Sequence, residues 1–148
     1  MRKDAREAVL ILLYRDCFIA EYDADFVNKV YNEQKLNDAD RDFANNLYNK
    51  IKENEQQLCD IISQLSQSFL LNRVFLTDKC ALLIGLCELT FFEDVPKIVA
   101  IDEAVNLSKK YSGEKSHSFV NGILAEYKRR QENWFGKPSW WKNRFKQR

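Results

Sequence analysis

A chain of 148 residues is long enough to bury one core without metal or disulfide staples. Its cysteines, Cys17, Cys59, Cys80 and Cys87, form no CxxC pair and are joined by a single histidine, His117, which excludes the usual zinc-ligand spacings. Hydrophobic residues at 45% and charged residues at 30%, with only 4 Gly and 2 Pro, favour long helices over turn-rich sheets; the net charge of +1 hides a C-terminal stretch, residues 131–148, with five bases against one acid.

In chain order, Ala5, Ala8, Val9, Leu12 and Leu13 recur at the spacing of one buried helical face and predict a first helix over residues 3–19. Leu10, Ile11, Tyr14, Cys17 and Phe18 widen that stripe beyond one core contact, so part of it is expected to meet a second surface. Asp23 or Asp25 is placed to cap a short helix through Phe26, Val27, Val30 and Tyr31 that ends near Leu36. From Asp38 onward, Phe43, Leu47, Ile51, Leu58, Ile61, Ile62 and Leu65 predict one long helix, with Asn54 as the place for a break. Residues 67–74 read as a connection or a single helical turn.

Thr77 is positioned as an N-cap, with Asp78 in the first turn where a negative charge suits the helix dipole. The run CALLIGLCEL, residues 80–89, is apolar nearly all round except for Glu88, as expected of a central rod surrounded by other helices. Gly85 costs such a rod about 1 kcal/mol relative to Ala and so predicts a close helix contact. Pro96 suits the start of the next helix, and Gly113 suits its end in the left-handed conformation. A last helix from Ser116 through Phe119, Val120, Ile123, Leu124 and Tyr127 runs into Lys128, Arg129 and Arg130. Beyond it, Gly136 and Pro138 interrupt any helix in a tail that mixes Trp134, Trp140 and Trp141 with bases. The reading is an all-α body over residues 1–130 and a basic, Trp-rich tail over residues 131–148. No apolar run approaches the roughly 20 residues that span a bilayer, and no secretory signal is visible, so a cytoplasmic protein is expected.

The search for chemistry returns no catalytic residues and no cofactor. His117 lies in GEKSHSF, outside a nucleophile elbow, where packing or phosphate contact accounts for it; no GxxxxGK[ST] or GxGxxG loop is present. Asp102 and Glu103 are adjacent on a helix and point apart. The N-terminal bases say more. Arg2, Lys3 and Arg6 form a basic edge at a helix N-terminus, where each cation opposes the dipole at roughly 0.3 to 1 kcal/mol. Phosphate contact explains that cost; the alternative is a solvated chain start whose charges Asp4 and Glu7 offset.

The segment DVPKIVAIDEAVNLSKKYSGEKSHSFVNGIL, residues 94–124, resembles the most characteristic stretch of the NusB family of bacterial transcription antitermination factors. AREAVLILLY, DRDFANNLYNKI and LTDKCALLIGLCEL are similar to the family's other segments in the same order, so the resemblance covers residues 2–130. It implies a NusB-like bundle of about seven helices in two packed subbundles, binding boxA RNA of ribosomal RNA leaders together with NusE, a small-subunit ribosomal protein, within the RNA polymerase antitermination complex. The family's basic N-terminal motif falls on Arg2, Lys3 and Arg6, with Asp4 where another base is common. Its second RNA-contacting region falls on Lys115, Ser116, His117, Phe119 and Asn121, and its partner surface on Tyr14, Phe18 and Asp78. NusB-like domains also precede RNA cytosine methyltransferases, but no residues remain here for a catalytic domain. The alternative reading is a non-catalytic helical interaction module or homodimer without RNA binding. The physical core of the RNA reading is that the basic groups at the head of the first helix and near Lys115 converge on one groove.

Overall fold

The structure, a computed structural model, describes residues 1–66, 75–113 and 116–133. Among these residues it is all-helical: α1 (Arg2–Asp16), α2 (Ala24–Glu33), α3 (Asp38–Glu53), α4 (Glu55–Ser66), α5 (Leu76–Phe91), α6 (Lys97–Ser112) and α7 (Ser116–Asn133). Residues 134–148 of the basic tail, the connection over residues 67–74, and Glu114 with Lys115 lie outside the described residues, whereas residues 131–133 continue α7.

Two subbundles share one core. α1 packs on α2, α3 and α5, while α4, α6 and α7 pack around α5, with α6 also meeting α1. The apolar run of α5 dictates its central place, because every residue from Cys80 to Leu89 is buried. Leu82, Ile84 and Leu86 are fully enclosed, each contributing about 1.5–3 kcal/mol of apolar burial. Gly85 makes this packing possible: a Cβ built there would lie 2.8 Å from a Leu124 methyl on α7 and 3.1 Å from the Ala104 Cβ on α6. Gly85→Ala is therefore expected to cost about 1–3 kcal/mol through overpacking, despite the better helix propensity of alanine. A denaturant titration showing unchanged or raised stability would contradict that close approach.

The expected long helix after Asp38 is two helices. Asn54 leaves the helical region (φ −119°, ψ 19°), and its side-chain amide donates to the Lys50 carbonyl at 2.9 Å, closing α3. Lys50 and Lys52 in the last turn of α3 and Glu55 in the first turn of α4 each match the dipole of their own helix. The break lets α3 lie on α1 and α5 while α4 turns onto α5 and α7.

Other boundaries depart by short distances. α1 ends at Asp16, and Cys17 and Phe18 form the turn that leaves it. Asp23 is the cap of α2, its carboxylate accepting from the Asp25 and Phe26 amides at 3.0 and 3.2 Å. At the start of α5 the capping position belongs to Phe75, not Thr77; the Thr77 hydroxyl instead bonds Ser112 at the end of α6. Pro96 stands just before α6, and Gly113 after it has φ 101° and ψ 167°, a positive φ but not the left-handed helical well. No described helix is long and apolar enough to cross a membrane.

Candidate RNA and partner surfaces

The N-terminal bases separate by helical position. Arg2 and Arg6, four residues apart, turn toward α3: their guanidinium carbons stand 4.5 and 5.2 Å from the centre of the Phe43 ring. Arg2 is half exposed and reaches Asp94 at 3.2 Å, a solvated pair that a phosphate can replace at little cost.

Arg6 behaves differently. Its side chain is 4% exposed and grips the fully buried Glu88 of α5 in a bidentate pair, Nε to Oε2 at 3.0 Å and Nη2 to Oε1 at 2.7 Å. The expectation that Arg6 lies on the basic edge is thus corrected by the geometry. Within the core its charge answers the one carboxylate that interrupts the apolar run of α5. Burial pushes the Glu88 carboxyl above its ordinary value even with Arg6 beside it.

Lys3 faces the other way, toward α6. It lines a cleft of about 440 Å³ with Glu7, Glu103, Asn106, Leu107, Lys109 and Lys110. Glu7 is buried and accepts at one oxygen, Oε1, from Lys110 Nζ and from the Tyr111 hydroxyl, both at 2.5 Å. Burial alone would raise its carboxyl, but these two donors outweigh that and hold it below its ordinary value. The start of α7 follows at once. The Ser116 amide donates to the Gly113 carbonyl at 3.3 Å, so α7 begins where α6 stops. Ser116 is buried and Asn121 is exposed. Phe119 is partly buried against the core, which commits part of its ring to the interior. His117 is half-buried, with Nδ1 sheltered from solvent and no hydrogen-bond partner among the described residues.

A second cavity, about 460 Å³, opens on the neighbouring face between α1, α5 and α6. Tyr14, Phe75, Leu76, Thr77, Tyr111 and Ser112 line it. Tyr14 stacks edge-on against Phe18 at 5.3 Å, and Phe18 and Phe75 are 65% and 62% exposed. These rings form a continuous apolar ledge of the kind that marks a protein contact. Leu10 and Ile11 of the widened stripe join the core, whereas Tyr14 and, just past the end of α1, Phe18 stay open to solvent. Asp78 does not. It is 2% exposed and accepts from the Ser108 hydroxyl at 3.0 Å, fastening the first turn of α5 to α6 beneath the ledge. Phe75, Leu76 and Tyr111 escaped the sequence reading; the signal was two large apolar residues in a row at a helix start, outside the buried periodicity.

Comparisons with known proteins point one way. The family model described as the NusB family matches residues 3–129. The transcription antitermination protein NusB of Finegoldia magna is 33% identical over 132 residues, 89% of this chain and 96% of its own. That of Acetivibrio thermocellus is 31% identical over 125 residues, 84% and 86% of the two chains. Among solved structures, NusB of T. maritima superposes with a TM-score of 0.74 at 31% identity, over 87% of this chain and 91% of that one. A chain from a complex described as antitermination factors NusB and NusE with double-stranded RNA gives 0.75 at 27% identity, over 86% and 96%. With 127 of its residues under the family model and the same helical architecture as the solved relatives, the chain belongs to the NusB family.

Proposed function

We propose that this protein is a transcription antitermination factor that binds boxA-type RNA of ribosomal RNA leaders together with NusE, helping RNA polymerase resist termination in the cytoplasm, with no chemistry of its own. The observation that carries this reading is the adjacency of two unlike surfaces at the α1–α6 contact. One is a cleft with three lysines, suited to phosphates; the other is an apolar ledge, suited to a protein. The RNA-facing groups are taken as Arg2, Lys3, Lys109 and Lys110, with His117, Phe119 and Asn121 at the start of α7; Ser116 is buried there, and Lys115 lies outside the described residues. Arg6 supports them from inside the core. The partner-facing groups are Tyr14, Phe18, Phe75, Leu76 and Tyr111, with Asp78 fixing the α5–α6 frame below them. The family-like body is taken as residues 1–130 and the basic tail as residues 131–148.

The test is a gel-shift titration of boxA-type RNA across a salt series, with and without NusE. Salt-sensitive binding strengthened by NusE is the expected result, and no shift at low salt would leave only a helical interaction module or homodimer. Lys3→Gln should flatten the slope of log affinity against log salt by about 0.7, the value of one phosphate contact on a single strand. An unchanged slope would remove Lys3 from the phosphate path.

A further inference from the structure

We infer that Glu7 is a positioning residue that couples the two surfaces, so that RNA in the cleft and protein on the ledge strengthen each other through one buried carboxylate. The inference rests on the functional reading above and assigns to that reading a physical link. Lys110 and Tyr111 are neighbours on α6, so their side chains leave the helix about 100° apart. Lys110 opens into the cleft and Tyr111 onto the ledge, yet both return to the same Glu7 oxygen. No other element brings a side chain from each cavity onto a shared atom among the described contacts.

The burial of Glu7 gives this geometry its consequence. A carboxylate withdrawn from water must keep donors around it, so its two bonds are not independent. A phosphate entering the cleft competes for the Lys110 ammonium, whose side chain is mostly exposed. As Lys110 turns to the phosphate, Glu7 leans on the Tyr111 phenol, with the charge of Lys3 nearby. A partner packed over the ring of Tyr111 holds that phenol in place, and so lowers the cost of releasing Lys110. By linkage the reverse holds with the same factor: RNA that draws off Lys110 fixes Tyr111 for the partner.

The full chain is titrated with a boxA-type RNA oligonucleotide in the absence and presence of saturating NusE, and the ratio of the two affinities is the coupling factor. The parent should give a factor of about 5 or more. Tyr111→Phe, which deletes one hydroxyl and leaves the ring, and Glu7→Gln, which deletes the charge, should each bring the factor to within about twofold of unity. A change in either separate affinity cancels in the ratio, so a merely weakened surface does not imitate the effect. Parent-like factors in both variants overturn the inference, as does a parent factor of one. A parent that binds no RNA under either condition instead brings down the functional reading itself.

Discussion

Glu88→Ala should destabilise the protein by about 3–5 kcal/mol, which in a chain of this size lowers the melting temperature by roughly 6 to 20 °C. The cause is the Arg6 guanidinium, left in the core with no carboxylate and no water to replace it. Arg6→Glu should be at least as harmful, since it sets two buried carboxylates against each other. Sequence pattern alone would recommend that reversal as a clean test of RNA contact with helix content intact. The structure turns it into a folding experiment. Replacing both partners together, Arg6→Met with Glu88→Met, should recover most of the loss, because a buried pair exchanged for apolar groups of similar volume is often neutral. Thermal melts of the single and double variants decide the matter. Single variants within about 2 °C of the parent would mean that water reaches the pair.

Phe75→Asp should weaken NusE binding at least tenfold while leaving the protein as stable as the parent or more so. Phe75 is the N-cap of α5 in an extended conformation, with no side-chain bond to the helix amides. Asp is among the best residues at that position, since its carboxylate accepts from the orphan amides of the first turn and suits the dipole. The same change removes a ring that is 62% exposed on the ledge and puts a charge in its place. Loss of one aromatic anchor commonly costs about 2 kcal/mol of binding, close to thirtyfold. Stability and affinity thus move in opposite directions, so unfolding cannot account for weaker binding. Calorimetric titration with NusE and a thermal melt are the two measurements. Parent-like affinity would take Phe75 off the partner surface.

The two surfaces also explain why α1 carries so wide an apolar stripe. Ala5, Ala8, Val9, Leu12 and Leu13 face the core with Leu10, whereas Tyr14 and Phe18 continue past it into solvent. One helix therefore contributes to the core, to the cleft through Lys3 and Glu7, and to the ledge through its last turn. Its loss would remove all three together.

Sequence by itself determined the helices and the identity of the core. A 3.6-residue period, an all-apolar run at α5, a capping aspartate at Asp23 or Asp25, and Gly85 as a contact point are local properties, and the structure meets each of them, with Asp23 as the cap. Family segments spread over residues 2–130 added the architecture. What only the tertiary structure decided is which way the polar groups on those helices face. Arg6 looked like a surface base because three cations lie close together in sequence. Whether one of them turns inward depends on Glu88, 82 positions away, and no local pattern pairs them. Asp78 read as a helix-start charge and a partner contact, yet it is buried with the Ser108 hydroxyl of α6 donating to it. Glu7, read only as a charge offsetting its neighbours, became the meeting point of Lys110 and Tyr111 more than 100 positions later. The physical reason is common to all three. Apolar residues gain by burial against almost any apolar neighbour, so periodicity suffices to place them. A buried charge is tolerated only opposite a particular donor or acceptor at hydrogen-bond distance, and that partner exists only once the helices have packed.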